Sequence, residues 1–148
     1  MSKPMLDDFK LHVKAKLSVL WASATLCYLY GDVISFYQPG MLQSMLDGKM
    51  GYWPVTPELL LGISAFMATP GVMVFLTFAL SPTWSRWLNV AMGALYTATM
   101  LFTMVGAWSL GNYFYILLGV VEVVLTGLVV WYALTWPRRQ VPAGSGEN

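Results

Sequence analysis

Residues 113–136 read YFYILLGVVEVVLTGLVVWYALTW, an apolar run with a single acid, Glu122, aromatic side chains at both ends and Pro137 directly after it. Wound as a helix at about 1.5 Å per residue, it is long enough to cross a hydrocarbon core about 30 Å thick. Immediately before it, Leu110-Gly111-Asn112 leaves room only for a tight turn. The preceding apolar run, about 87–109, must therefore return antiparallel beside it as a helical hairpin. Two further runs of the same length lie upstream, at about 15–37 and 58–80. The fold predicted is all-α: a four-helix transmembrane bundle filling residues 15–137, with a polar leader (1–14) and a polar, disordered tail (138–148).

Composition agrees with that solvent. Of 148 residues, 57% are hydrophobic and 10% charged, against roughly a quarter charged in soluble domains. Nucleic acid is excluded as a partner on this balance; the lipid bilayer is the expected one. A cleaved signal peptide is not expected, because the apolar core would be too long and Ala22-Ser23-Ala24 lies inside it. The second span opens with Thr56-Pro57-Glu58, an N-cap, an N1 proline and a first-turn acid. Its Pro70-Gly71 pair predicts a kink, with a neighbouring helix supplying the donor that proline lacks.

Charge placement sets orientation. Lys3, Lys10, Lys14, Lys16, Arg86, Arg138 and Arg139 fall on one side and Lys49 alone on the other, so both termini are expected in the cytoplasm of a bacterial inner membrane. Trp21, Trp84, Trp87, Trp131 and Trp136 then form an inner aromatic belt, and Tyr37, Tyr52, Trp53, Trp108 and Tyr113 an outer one. Between spans 1 and 2, Met41, Leu42, Met45 and Leu46 share one helical face ended by Asp47-Gly48. A short interfacial helix is predicted there, either a connector capping the bundle or a lid over an outward-facing cavity.

Two acids lie well inside apolar runs, Asp32 and Glu122, each costing about 2.5–3.5 kcal/mol if central. Asp32 is about 9 Å inward of Gln38 and Glu122 about 14 Å inward of Tyr113, so the two come within one turn in depth. On the first helix Ser18, Trp21, Thr25, Tyr28, Asp32 and Ser35 share a stripe; Asn89, Gly93, Tyr96, Met100 and Thr103 do so on the third, and Tyr115, Gly119, Glu122 and Thr126 on the fourth. Gly93 and Gly119 would let those backbones approach. No Lys, Arg or His lies at that depth, and a carboxyl buried without a cation favours its neutral, protonated form.

The candidate binding residues are therefore Asp32, Glu122, Tyr28, Tyr30, Tyr96, Thr25 and Thr126, with Glu58 as a gate near the outer interface. Two readings of the acids stand: packing devices that fix helix register through hydrogen bonds, or a proton-linked, cation-binding site. The second gives a small carrier for an organic cation, held in a cavity lined by Tyr28, Tyr30 and Tyr96. Small multidrug carriers are similar in placing an acid in the first of four spans, but the lysine and arginine bias opposes dual insertion and leaves a monomer or a parallel homodimer. A quinone- or lipid-binding accessory subunit, or a structural, partner-binding protein, are the alternatives.

Other chemistries find no residues. With one histidine, His12, in the leader and one cysteine, Cys27, neither haem ligation by paired histidines nor a redox thiol pair exists within one chain. No metal site, no cofactor and no catalytic residue are assigned; the methionines read as packing, and an enzyme is disfavoured because two carboxylates alone offer little beyond acid–base work.

The runs Lys16-Leu17-Ser18-Val19-Leu20-Trp21, Tyr28-Leu29-Tyr30-Gly31-Asp32-Val33, Arg86-Trp87 before Asn89, Gly119-Val120-Val121-Glu122 and Val130-Trp131-Tyr132-Ala133 with Trp136-Pro137 carry a resemblance over Lys16 to Pro137. The chain resembles a small uncharacterised family of four-span bacterial inner-membrane proteins, and more loosely DoxX-like proteins in architecture. The resemblance implies no activity. It implies an acid two positions before the second-span proline, where this chain has Ala68, so a mechanism needing three carboxylates is not supported here.

Overall fold

The structure is a computed structural model and describes residues 10–51, 53–109 and 111–137. Tyr52 of the expected outer belt, most of the leader and the tail from residue 138 lie outside the described residues.

Four helices are long and apolar enough to cross a membrane: α1 (Val13–Ser35), α3 (Pro57–Ala79), α4 (Pro82–Ser109) and α5 (Tyr113–Leu134). Each start has a local cause. His12 caps α1, its Nδ1 accepting from the Lys14 amide at 3.3 Å, so the imidazole has a capping role while its ring packs edge-on to Trp136 at 6.5 Å. Thr56 caps α3, its hydroxyl accepting from the Leu59 amide at 3.2 Å, ahead of Pro57 and Glu58. Helix α4 begins at Pro82, before its apolar block, because a proline is pre-set for the first helical position. Gly111, at φ 69°, makes the turn into α5.

The exterior is apolar. Phe75, Phe102, Val105 and Leu117 all point outward and exposed, an arrangement that water would penalise and lipid does not. Around the bundle α4 packs on α5, α5 on α1 and α1 on α3, while α3 and α4 touch least. Glycines set the tightest contact. A Cβ added at Gly93 would sit 2.9 Å from Val130 Cγ2 and 3.3 Å from the Thr126 carbonyl oxygen; one at Gly119 would sit 2.9 Å from Met104 Sδ. At Gly93 helix α4 therefore packs directly on the α5 backbone, and at Gly119 methionines of α4 pack directly on that of α5, as small residues permit within a membrane.

The core lies toward the end of the bundle that carries the α1 N-terminus, formed by Leu17, Trp21, Met73, Tyr96, Val129 and Ala133. Hydrogen bonds lock that half. Trp21 Nε1 donates to Asn89 Oδ1 at 2.7 Å. Asn89 Nδ2 donates to the Ser85 carbonyl at 2.7 Å and to Thr77 Oγ1 at 3.2 Å. Ser85 Oγ donates to the Thr77 carbonyl at 2.9 Å, and Ser18 Oγ to the Val74 carbonyl at 2.6 Å. Trp21, expected in the aromatic belt, is thus fully buried: Asn89 supplies the acceptor its indole needs. Trp84, Trp87 and Trp131 do stand exposed. At the same end Lys14 Nζ donates to the Phe78 and Leu80 carbonyls (3.1 and 2.6 Å), and Arg86 to those of Ala133 and Leu134 (3.1 and 3.3 Å). Each cation satisfies carbonyls that a helix C-terminus leaves without donors.

At the opposite end, α2 (Met41–Leu46) and a two-stranded ladder, β1 (Lys49–Met50) with β2 (Trp53–Pro54), join α1 to α3. The strands pair antiparallel, Lys49 with Pro54 and Met50 with Trp53; positive φ at Gly48 and Gly51 turns the chain through them. This hairpin was not expected from sequence, being too short for a period-two pattern. Helix α2 was expected, but its apolar face divides: Met41 and Met45 line a cavity, while Leu42 and Leu46 face outward.

Candidate functional site

The site begins with a missing hydrogen bond. Pro70 lies inside α3 and has no N–H to give the carbonyl four residues earlier, that of Phe66. The Tyr96 hydroxyl on α4 donates to that carbonyl instead. The bond draws the Tyr96 ring into a stack on Phe66 (centroids 4.6 Å apart), with Trp21 edge-on at 5.7 Å and Tyr28 tilted at 6.0 Å. These rings meet at mid-bundle, between the locked half and the space above it.

Above the rings the helices part around an inner cavity of about 200 Å³. All four spans line it: Tyr28, Gly31 and Asp32 from α1, Phe66 and Met67 from α3, Tyr96, Thr99, Met100 and Thr103 from α4, Tyr115, Leu118 and Glu122 from α5. Glu122 is 2% exposed, and its Oε2 has no hydrogen-bond partner among the described residues. An acid in that state normally finds donors, since an unpaired buried polar group costs about 1–3 kcal/mol. Helices α1 and α5 run antiparallel with Gly31 beside Leu118, so Tyr28 stands about level with Glu122 and Asp32 about one and a half turns, ~7 Å, above it. Asp32 is exposed.

A second, outer cavity of about 680 Å³ adjoins the first, sharing Asp32, Phe66 and Met67 as lining residues. Its other walls are Ser35 and Phe36, Met41 and Met45 of α2, Met50 and Gly51 of the hairpin, and Glu58, Leu59, Gly62 and Ile63 of α3. Among the described residues, no Lys, Arg or His lines either cavity. Glu58, Asp32 and Glu122 therefore line two adjoining cavities between the α2 end and mid-bundle, with Asp32 common to both.

Of the residues singled out from sequence, Asp32, Glu122, Tyr28 and Tyr96 come together in the inner cavity, and Glu58 joins Asp32 in the outer one. Three do not. Tyr30 is 62% exposed on the outer surface of α1, because it stands two residues from Tyr28 and so on another face. Thr25 donates to the Trp21 carbonyl at 2.8 Å, within its own helix. Thr126 is buried but ties α5 to α4, 2.7 Å from Thr97 Oγ1, and donates to the Glu122 carbonyl at 2.8 Å; neither threonine lines a cavity described here.

Sequence reasoning missed Phe66 and Met67, because the apolar α3 offers no polar stripe to align; its signal was the proline, which frees the Phe66 carbonyl. It also left out Thr99, Thr103 and Tyr115, although the last two lay on its stripes; Tyr115 donates to Thr103 Oγ1 at 3.2 Å. Cys27 is a free, half-buried thiol. Among the described residues no group of three or more His, Cys, Asp or Glu is clustered to hold a metal ion.

A four-span membrane bundle, closed by hydrogen bonds at one end and opening at the other onto a buried acid, is the class this geometry defines. The chain belongs to a family of unknown function (DUF6326), whose sequence pattern matches residues 6–143. No curated protein and no solved structure matches it.

Proposed function

We propose that the protein is a small proton-linked carrier or cation-binding protein of the bacterial inner membrane, with Glu122 as the binding carboxylate and Asp32 as its neighbour on the way in. One observation carries the reading: Glu122 lines a cavity, and one of its carboxyl oxygens is buried with no donor among the described residues. A carboxyl used only to fix helix register would use that oxygen for a hydrogen bond, as Asn89 uses its side chain in the other half. A carboxyl that exchanges a proton for a cation has to leave it free, and in a membrane such acids mark ion and proton pathways.

Orientation supports the same reading. Lys14, Lys16 and Arg86 gather at the end of the bundle bearing the α1 N-terminus, and Lys49 lies in β1 at the other. The positive end faces the cytoplasm, so the passage to Glu122 opens outward. A reporter fused after residue 148 that is active only in the cytoplasm should be active; an inactive fusion, with a reporter that works only outside active at the same position, would reverse the orientation.

The chemistry is tested by adding tetramethylammonium to purified protein in weakly buffered detergent and measuring proton release. The expected result is release by the native protein and none by Glu122→Gln. No release from the native protein, or equal release from both, would overturn the reading.

A further inference from the structure

The two cavities differ in size and lining in a way that describes the ligand. The inner one, about 200 Å³, is smaller than the roughly 300 Å³ at which pockets for whole drug-sized molecules begin. It has room for a head group. The outer one, at about 680 Å³, has room for a body, and the two meet at Asp32, Phe66 and Met67.

Hydrogen-bonding capacity in the inner cavity is one-sided. Tyr96 donates to the Phe66 carbonyl, Tyr115 to Thr103 Oγ1, Thr99 to the Leu95 carbonyl at 2.9 Å and Thr103 to the Met100 carbonyl at 3.0 Å. Of the hydroxyls lining it, only that of Tyr28 makes no hydrogen bond among the described residues. A ligand that needs donors, such as a quinone carbonyl, a phosphate or a carboxylate, meets almost none and no cation. A ligand that needs acceptors meets two carboxylates and the rings of Tyr28, Phe66, Tyr96 and Tyr115, which attract cations through their π faces.

The outer cavity presents thioethers. Met41, Met45, Met50 and Met67 line it with Phe36, Leu59, Ile63 and Phe66. Unbranched, polarizable methionines adjust to apolar shapes that a fixed aliphatic wall would reject.

We infer that the ligand is an amphipathic amine or quaternary ammonium whose cationic head sits in the inner cavity against Glu122, whose apolar body fills the methionine-lined outer cavity, and which passes Asp32 at the throat between them. The inference rests on the cation-binding reading above and adds the two-part shape of what is bound. Apolar bodies of different form share the outer cavity; the head is the constant element.

The experiment is an alkyltrimethylammonium series, from tetramethylammonium through butyl to octyl, titrated into the protein in nanodiscs. Binding is taken as the difference between native protein and Glu122→Gln, which cancels partitioning into lipid. The expected result is affinity rising about fourfold per added methylene until the outer cavity is full, with proton release retained throughout. In the Met41→Gln/Met45→Gln double variant, whose changes lie on the interfacial helix and leave the spans intact, the octyl-to-methyl affinity ratio should fall at least tenfold. Proton release with affinity independent of chain length, or an unchanged ratio in the double variant, would overturn the two-part ligand and leave the cation site standing. No proton release from any member would remove both.

Discussion

The hydrogen bond from Tyr96 to the Phe66 carbonyl exists because Pro70 cannot supply one, and that dependence can be measured. Tyr96→Phe keeps the ring stacked 4.6 Å from Phe66 and removes only the donor. A hydrogen bond within a membrane protein contributes about 0.6 kcal/mol on average and up to about 1.7, and a carbonyl left buried without a partner costs about 1–3 kcal/mol. The expected loss is about 1–2 kcal/mol. Pro70→Ala restores an N–H to α3 in reach of the same carbonyl, so in that background Tyr96→Phe should cost less than about 0.5 kcal/mol, a coupling of about 1 kcal/mol. Reversible unfolding in mixed micelles, read by tryptophan fluorescence across the four variants, gives the cycle. Equal losses in both backgrounds would refute the reasoning, since Tyr96 would then be stabilising the bundle by something other than the acceptor that proline exposes.

Three further outcomes follow from the packing and the buried polar groups, each read in the same unfolding assay. Glu122→Leu should stabilise the bundle by about 1–3 kcal/mol, because it removes an oxygen that is buried without a partner; a loss of stability would make Glu122 a packing device and count against the cation site. Gly93→Ala should cost about 1–3 kcal/mol, its Cβ meeting Val130 at 2.9 Å. Gly127→Ala, with nothing within 4 Å, should be neutral or stabilising by up to about 1 kcal/mol; similar effects at both glycines would disprove the close α4–α5 contact. Asn89→Leu should destabilise by about 1–3 kcal/mol, since it leaves the Trp21 indole N–H without its acceptor at 2.7 Å; a neutral result would refute the locked half.

The spans were legible because a hydrocarbon core selects length and apolarity, properties a single sequence displays directly. Thr56-Pro57-Glu58 was legible for the same reason, since capping chemistry is local. The site was legible only in part. Periodicity aligned Tyr28 with Asp32 and Tyr115 with Glu122, because those faces depend on helical geometry alone. It could not tell that Tyr30, two residues along, points outward, as phenol chemistry is the same on either face. Nor could it find Phe66, whose part depends on a carbonyl, an atom common to every residue; only Pro70 marked it. Trp21 was misplaced because tryptophan near a span end suits the interface as well as it suits a buried acceptor, and that acceptor lies 68 positions away.

The uneven distribution of contacts along α3 has a mechanical consequence. Below Pro70 the helix is held by Ser18, Ser85, Asn89 and Lys14, whereas from Pro57 up to the proline it borders the cavities and is tied to α4 through the hydrogen bond and ring stack between Tyr96 and Phe66. That upper segment is about 20 Å long and ends where the helical hydrogen bond is replaced by one from α4. A swing of about 10° there would displace Glu58 by roughly 3 Å, the width of a water molecule, so the single hydrogen bond and ring stack from Tyr96 set the width of the outer cavity.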